Sequence, residues 1–225
     1  MSATPAPEAL GRESRLRISE IFFSLQGESS RVGLPTVFVR LTGCPLRCHY
    51  CDTAYAFQGG VNRALEDVVA EVSAFGVRHV CVTGGEPLAQ RACLGLMSAL
   101  CDRGHSLSLE TSGALDISGV DARVSRIVDI KTPDSGESGR NLWSNLEHLN
   151  ERDEIKFVIC SRADYEWSCQ QLSAHQLSQR CAVLMSPSHE QLRAADLAQW
   201  IIDDRLPVRF QMQLHKTLWG AVPGR

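Results

Sequence analysis

No apolar run in these 225 residues approaches the ~18 that a membrane-spanning helix needs, so the sequence offers no bilayer-crossing segment. A charge excess of one sign is lacking as well. Lys and Arg number 23 against 26 Asp and Glu, a formal net charge of −3 with the basic residues scattered, which removes the electrostatic case for direct nucleic-acid binding. The opening stretch, MSATPAPEALGRESRLR, has no apolar block of the secretory kind. With Pro5, Pro7, small residues and mixed charges, residues 1–16 read as a flexible tail ahead of a single domain over 17–225. A hydrophobic content of 44% with 22% charged residues is that of a soluble globular enzyme, and this length is enough for one substantial core.

Cysteine is plentiful: there are nine. Without a secretory segment, a reducing, cytoplasmic setting is expected, where thiols stay free or bind metal. Six of them, Cys81, Cys93, Cys101, Cys160, Cys169 and Cys181, share no spacing and read as small core hydrophobes. The other three form the cluster GCPLRCHYCDT, in which Cys44, Cys48 and Cys51 follow CxxxCxxC and no fourth thiol lies nearby. Two thiols would suit a disulfide and four a closed zinc site; three suggest a metal centre with one position left open.

From Arg17 onward, short apolar runs alternate with helical patterns. Strands are expected at Arg17–Phe23, Thr36–Leu41, His79–Gly84, Ser106–Thr111, Arg126–Lys131, Glu154–Cys160, Cys181–Pro187 and Val208–Leu214. Leu65, Val68, Val69, Val72 and Phe75 recur at helical spacing, as do Cys93, Leu96, Met97, Leu100 and Cys101 before Gly104. Further helices fit Asn141–Leu149, Asp164–Leu172 and His189–Ile202. Apolar strands between helices call for a parallel sheet in an α/β fold. A complete eightfold barrel takes ~250 residues, so an incomplete barrel of the TIM type fits better. Polar residues collect where the strands end: Arg40, Thr83 to Glu86, Glu110 and Thr111, Asp129 and Lys131, Ser186 and His215. In parallel α/β architectures that rim carries the active site.

The cysteine loop follows the strand TVFVRL and so sits on the rim. Thiolates select zinc, copper(I) or iron–sulfur clusters. A four-iron cubane held by three cysteines keeps one iron for a ligand outside the protein; zinc completed by His49, Asp52 or a distant cysteine is the alternative that spacing alone leaves open. One strand later, TGGEPL (Thr83–Leu88) offers glycines for close backbone approach, the Glu86 carboxylate and the turn-fixing Pro87. The plainer reading of that motif is a tight strand–helix turn. Together, CxxxCxxC and GGEP resemble the radical S-adenosylmethionine (SAM) enzymes over nearly all of Arg17–Gly220. That resemblance implies a partial barrel and a [4Fe-4S] cluster on Cys44, Cys48 and Cys51, whose unique iron chelates SAM and cleaves it reductively to a 5′-deoxyadenosyl radical.

Within that superfamily, EIFFSLQGESSRVGLPTVFVRLTGCPLRCHYCDT (Glu20–Thr53) and VRFQMQLHKTLWG (Val208–Gly220) resemble the two ends of the 7-carboxy-7-deazaguanine synthase family of queuosine and deazapurine biosynthesis. The resemblance implies conversion of 6-carboxy-5,6,7,8-tetrahydropterin to 7-carboxy-7-deazaguanine with loss of ammonia, SAM being regenerated. No residue then need act as a proton-transfer catalyst.

A pterin edge alternates donors and acceptors, which the segment Leu25, Gln26, Gly27 and Glu28 can read; an exposed turn is the plainer reading. Arg40 can fork onto a carboxylate or make an ordinary surface salt bridge. By resemblance Thr83 and His215 also touch substrate, His215 otherwise reading as a core histidine. Thr53 matches the family's Mg²⁺ position beside the substrate carboxylate, where substrate and waters would complete the shell; alone it would read as a cap. For SAM the resemblance implies Tyr50, Gly85, Glu86, Asp129, Lys131, Ser186 and His189. Lys131 and Ser186 could otherwise cap strand ends. It further implies a flavodoxin or ferredoxin as electron donor, a homodimer, and neither nucleic acid nor membrane as direct partner. Some family members end soon after the Gln-x-His-Lys segment and place their terminal carboxylate near substrate; this chain continues through GAVPGR, so that contact does not carry over.

Two rivals are distinguishable. A glycyl-radical-enzyme activase would share CxxxCxxC, GGEP and the DIK strand end but has no need of LQGE or QLHK. A zinc-stapled binding module would leave the GGEP turn and the strand-end residues unexplained.

Overall fold

A computed structural model describes residues 15–220, 222 and 224. The expected tail lies outside these residues except for Arg15 and Leu16, which open the first strand.

Nine strands form one sheet: β1 (Arg15–Leu25), β2 (Pro35–Leu41), β3 (Val61–Ala64), β4 (His79–Gly84), β5 (Ser106–Thr111), β6 (Ser125–Asp129), β7 (Glu154–Ile159), β8 (Ala182–Pro187) and β9 (Arg209–Phe210). Their order is β3-β1-β2-β4-β5-β6-β7-β8-β9. From β2 through β9 every neighbour is parallel. The expectation of a parallel sheet fails only at the first edge, where β1 runs antiparallel to both β2 and β3. Residues 26–34 are too short for the crossover that parallel pairing requires, so β1 and β2 must form a hairpin.

The sequence pattern explains the helices. α1 (Leu65–Ala74) buries Val68, Val69 and Val72, and α2 (Ala92–Asp102) buries Cys93, Leu96, Met97 and Leu100, one stripe each. α3 (Arg162–Ala174) starts at Ser161, whose hydroxyl accepts from Asp164 N. α4 (Ala194–Asp203) buries Leu197 and Ile201. These stripes join the strand residues in one core that includes Val37, Val82, Leu109, Ile155, Phe157 and Met185.

Two expected elements differ. Asn141–Leu149 contains a 3-10 helix at Trp143–His148 instead of an α-helix. Asn145 is the reason: its amide donates to the Gly113 and Leu115 carbonyls and accepts from Ile117 N, which ties this segment to the loop after β5. The closing strand shrinks to Arg209–Phe210 and is followed by a short helix, α5 (Leu214–Trp219), which carries His215.

The chain after β9 instead bonds the hairpin turn. Gln211 exchanges bonds with Ser29 N and O at 2.8 and 2.9 Å, and Leu214 N donates to Gly27 O at 2.9 Å. The segment after β9 thus meets the β1–β2 turn at the rim, and the sheet curls into an incomplete β/α barrel.

Candidate active site

The cysteine loop is built by backbone contacts to the neighbouring strand end. Gly85 N donates to Leu41 O at 3.1 Å and Glu86 N to Gly43 O at 2.7 Å. A Cβ on Gly85 would collide with the Gly43 carbonyl, so glycine is required here for the turn to lie against the cysteine loop. On the other side the loop leans on the segment after β6. His49 N bonds Ser135 O at 3.0 Å, His49 Nδ1 lies 3.1 Å from Asp134 O, and Arg47 N donates to Glu137.

All three thiols are free, half-buried and open onto one cavity of about 450 Å³. No three His, Cys, Asp or Glu side chains among the described residues gather closely enough to hold a single ion. Of the side chains that might complete a zinc tetrahedron, His49 is turned to the Asp134 carbonyl, and Asp52 pairs with Lys216 at 2.7 Å. Three thiols spread over a cavity wall fit a multinuclear cluster better than one zinc ion. Burial raises the pKa of each, Cys48 to about 11, so metal ligation would release protons.

Beside the thiols lie Tyr50, Gly85, Asp129, Lys131 and His189, five of the seven residues expected at SAM. Lys131 Nζ sits 3.1 Å from Asp129 Oδ2 and 5.9 Å from the Tyr50 ring centroid. Burial works against its charge, but the neighbouring groups, Asp129 foremost, together raise its pKa. Tyr50 Oη and Asp129 Oδ1 are buried with no partner among the described residues, which suits a ligand rich in hydroxyl and amino groups.

The other two residues lie behind the wall. Glu86 is fully buried, and its carboxylate accepts from Leu88 N, the Thr111 hydroxyl, and both Ser112 N and Oγ at 2.7 and 2.6 Å. Its side chain therefore ties the end of β4 to that of β5 instead of pointing at a ligand. Ser186 is also buried, inside β8, and Ser188 and Gln191 reach the cavity from that region.

Leu25, Gln26, Gly27, Glu28, Arg40, Thr83 and His215 line the same cavity. Gln26 Oε1 accepts from Glu28 N at 3.2 Å, and its Nε2 donates to Glu110 at 3.3 Å. A Cβ on Gly27 would overlap the His215 ring, which seats the histidine against the turn. Burial lowers the His215 pKa. Thr53 donates to Asp52 at 2.8 Å, next to Lys216. Burial alone would raise the Asp52 carboxyl, but Lys216 holds it well below the usual range.

Glu110 is expected on the rim without a specific role, and Lys156 is not singled out from the sequence at all. Lys156 Nζ lies 2.6 Å from Glu28 and 3.5 Å from Asp129, so it links the two halves of the cavity. Burial would raise Glu28 and lower Lys156; their mutual attraction, helped by Gln213 at Glu28 and by Asp129 and Glu110 near Lys156, offsets it in both, lowering the carboxyl and raising the amine. Glu110 has no such cation in contact among the described residues, and burial followed by the charge of Glu28 raises its pKa. A signal for Lys156 was present: in EIKFVI it alternates with the buried Ile155, Phe157 and Ile159, which turns it to the opposite face of β7.

The family model described as the Radical SAM superfamily matches residues 38–170. The chain is 46% identical to the 7-carboxy-7-deazaguanine synthase of Chlorobaculum tepidum, covering 94% of this chain and 97% of that protein. It is 41% identical to the synthase of Koribacter versatilis, covering 91% and 97% respectively. Among solved structures, QueE from Escherichia coli superposes with a TM-score of 0.75 at 26% identity, covering 89% of this chain and 95% of that one.

Proposed function

We propose a division of labour along this rim, starting from the fact that the chain belongs to the 7-carboxy-7-deazaguanine synthases of the Radical SAM superfamily and makes 7-carboxy-7-deazaguanine. Membership implies a [4Fe-4S] cluster and SAM, held by Cys44, Cys48 and Cys51 and the adjoining wall. When bound, they supply reductive radical chemistry at C6 of the substrate, 6-carboxy-5,6,7,8-tetrahydropterin.

The protein's task is then placement. Gln26, the Gly27 backbone and Glu28 read the pterin edge, with Leu25 against its face. Glu28 is kept ionised by Lys156 and oriented by Gln213 at 2.7 Å, so it accepts hydrogen bonds and donates none. Glu110, whose pKa is raised by burial and then by the charge of Glu28, accepts from Gln26 Nε2 and Thr83 Oγ1 and so holds both side chains in place at the pterin edge. His215 closes the site from α5. Arg40 forks onto the 6-carboxylate, and Thr53 places Mg²⁺ beside it, with Asp52 supplying nearby negative charge.

Tyr50, Asp129, Lys131 and His189 meet the nucleoside and carboxylate of SAM, and the Gly85 backbone meets its amino end. Glu86 and Ser186 support that wall from behind. A flavodoxin or ferredoxin as electron source, a homodimeric assembly and a cytoplasmic setting belong to the same reading on the strength of the family resemblance.

The observation that carries this reading is the shared cavity: three thiols, the glycine turn and the Gln26–Glu28 segment open onto one space of about 450 Å³. Anaerobic incubation of the iron-loaded protein with 6-carboxytetrahydropterin, SAM and a reductant tests it. The expected outcome is a deazaguanine acid with loss of ammonia, faster with Mg²⁺. Iron-replete protein that yields no such product would overturn the reading.

A further inference from the structure

Arg40, near the end of β2, has its guanidinium held by a carboxylate and flanked by two aromatic rings. Its Nε donates to Glu20 Oε1 at 2.6 Å, and Glu20 stands opposite it in the β1–β2 register. The same carboxylate oxygen accepts from Tyr55 Oη at 2.8 Å. The guanidinium carbon lies 5.9 Å from the Phe22 ring centroid and 5.8 Å from that of Tyr55, so two aromatic rings flank it. Neither terminal amino group of Arg40 has a hydrogen-bond partner among the described residues, and the side chain lines the cavity. The inner edge of the fork is taken and the outer edge is offered to a ligand.

We propose that Glu20 and Tyr55 are positioning residues that give this enzyme its selectivity for a carboxylated pterin, by fixing the guanidinium of Arg40 so that its two terminal amino groups face the substrate carboxylate. The inference rests on the reading above that Arg40 receives that carboxylate. A bidentate fork discriminates only when its plane is fixed; a guanidinium free to rotate pays the orientation cost on binding. Tyr55 adds a link to the metal region, because the 3-10 helix Ala54–Phe57 that carries it begins directly after Thr53. Glu20 also brings an opposing effect. Its negative charge disfavours a second anion nearby, so if it were only a counterion its removal would tighten carboxylate binding.

The experiment measures anaerobic dissociation constants on protein loaded with cluster and SAM. The two ligands are 6-carboxytetrahydropterin and the same tetrahydropterin lacking the 6-carboxylate. Glu20→Ala weakens the carboxylated ligand by about tenfold and Tyr55→Phe by about threefold, with the decarboxylated ligand unchanged within about twofold for both. Glu20→Gln keeps the acceptor, orients Arg40 and binds the carboxylated ligand at least as well as the parent. Equal weakening of both ligands, or tighter carboxylate binding in Glu20→Ala, would overturn the inference. Arg40→Met separates the two levels. If it leaves the preference for the carboxylate intact, the assignment of Arg40 fails; if it abolishes that preference while Glu20→Ala and Tyr55→Phe do not, only the positioning role fails.

Discussion

Replacing Lys156 with Met removes the cation that links the two halves of the cavity while keeping much of its apolar stem. Glu28 and Lys156 are 11% and 12% exposed in their side chains and meet at 2.6 Å. Asp129 keeps Lys131 at 3.1 Å, so Glu28 is the group left stranded, with Gln213 as its remaining side-chain partner. Removing one member of a buried pair costs about 3–5 kcal/mol, and the slight exposure argues for the lower end, about 3 kcal/mol. For a domain of this size that is roughly a 10 °C fall in the melting midpoint.

The sign of the pH dependence is specific. In the parent the folded pKa of Glu28 lies below the ordinary value of 4.5, so its contribution is present above that value and is lost as pH falls through the folded pKa. Lys156, raised well above 10.5, contributes throughout the neutral range and is lost only as pH rises through its own folded value. In the variant the upward push of burial on Glu28, the largest single effect on it, is opposed only by the smaller pull of the Gln213 hydrogen bond, so folding takes up a proton and stability declines as pH rises above 4.5. The gap between parent and variant is therefore widest near neutrality and narrows toward about pH 5. Anaerobic urea and thermal unfolding at about pH 5 and about pH 8 measure it. A loss below about 1 kcal/mol at neutral pH, or one of equal size at both, would refute the reasoning.

Glu86→Gln replaces a fully buried carboxylate with an amide whose NH₂ must face the donors now on Leu88, Thr111 and Ser112, and should cost about 3 kcal/mol in unfolding free energy; a variant as stable as the parent would show that the turn does not depend on this carboxylate. Gly27→Ala drives a methyl group into the His215 ring, so KM for the pterin should rise about tenfold with iron content and SAM affinity unchanged. If kcat fell alone, Gly27 would be serving some other purpose. Lys216→Met cuts the 2.7 Å tie between α5 and Asp52, and deuterium exchange should quicken at residues 214–220 while β4 stays protected. Unchanged exchange there would assign the anchoring of α5 to Gly27 and Gln213.

The fold was legible where chemistry repeats along the chain. Val68, Val69 and Val72 and the Cys93–Leu100 stripe show helical period, and the apolar runs of β4, β5 and β7 show buried parallel strands. What escaped depended on partners distant in sequence. β3 is a four-residue strand that exists because β1 offers it an edge, and the strand expected at Val208–Leu214 was cut short by bonds from Gln211 and Leu214 to the turn at Gly27–Ser29. Asn145 bonds to residues about thirty positions earlier and makes the helix expected at Asn141–Leu149 a short 3-10 helix. The rim followed the same rule. Gln26, Glu28, Arg40 and the thiols were legible from motifs, and the structure places them around one cavity. Glu86 was legible as a motif residue, yet the direction of its carboxylate is set by Thr111 and Ser112 on another strand. Lys156 stood out only through strand alternation, and Glu110 gains its raised pKa from burial and from Glu28, which lies far away in sequence.

The central claim is that Cys44, Cys48 and Cys51 hold a cluster with one iron left open to SAM. Electron paramagnetic resonance of the dithionite-reduced protein, recorded with and without SAM, tests it most directly. A [4Fe-4S]⁺ signal whose g values shift on adding SAM, and which is absent from Cys48→Ala, is the predicted result. A zinc-containing, iron-free protein, or a cluster spectrum indifferent to SAM, would contradict it.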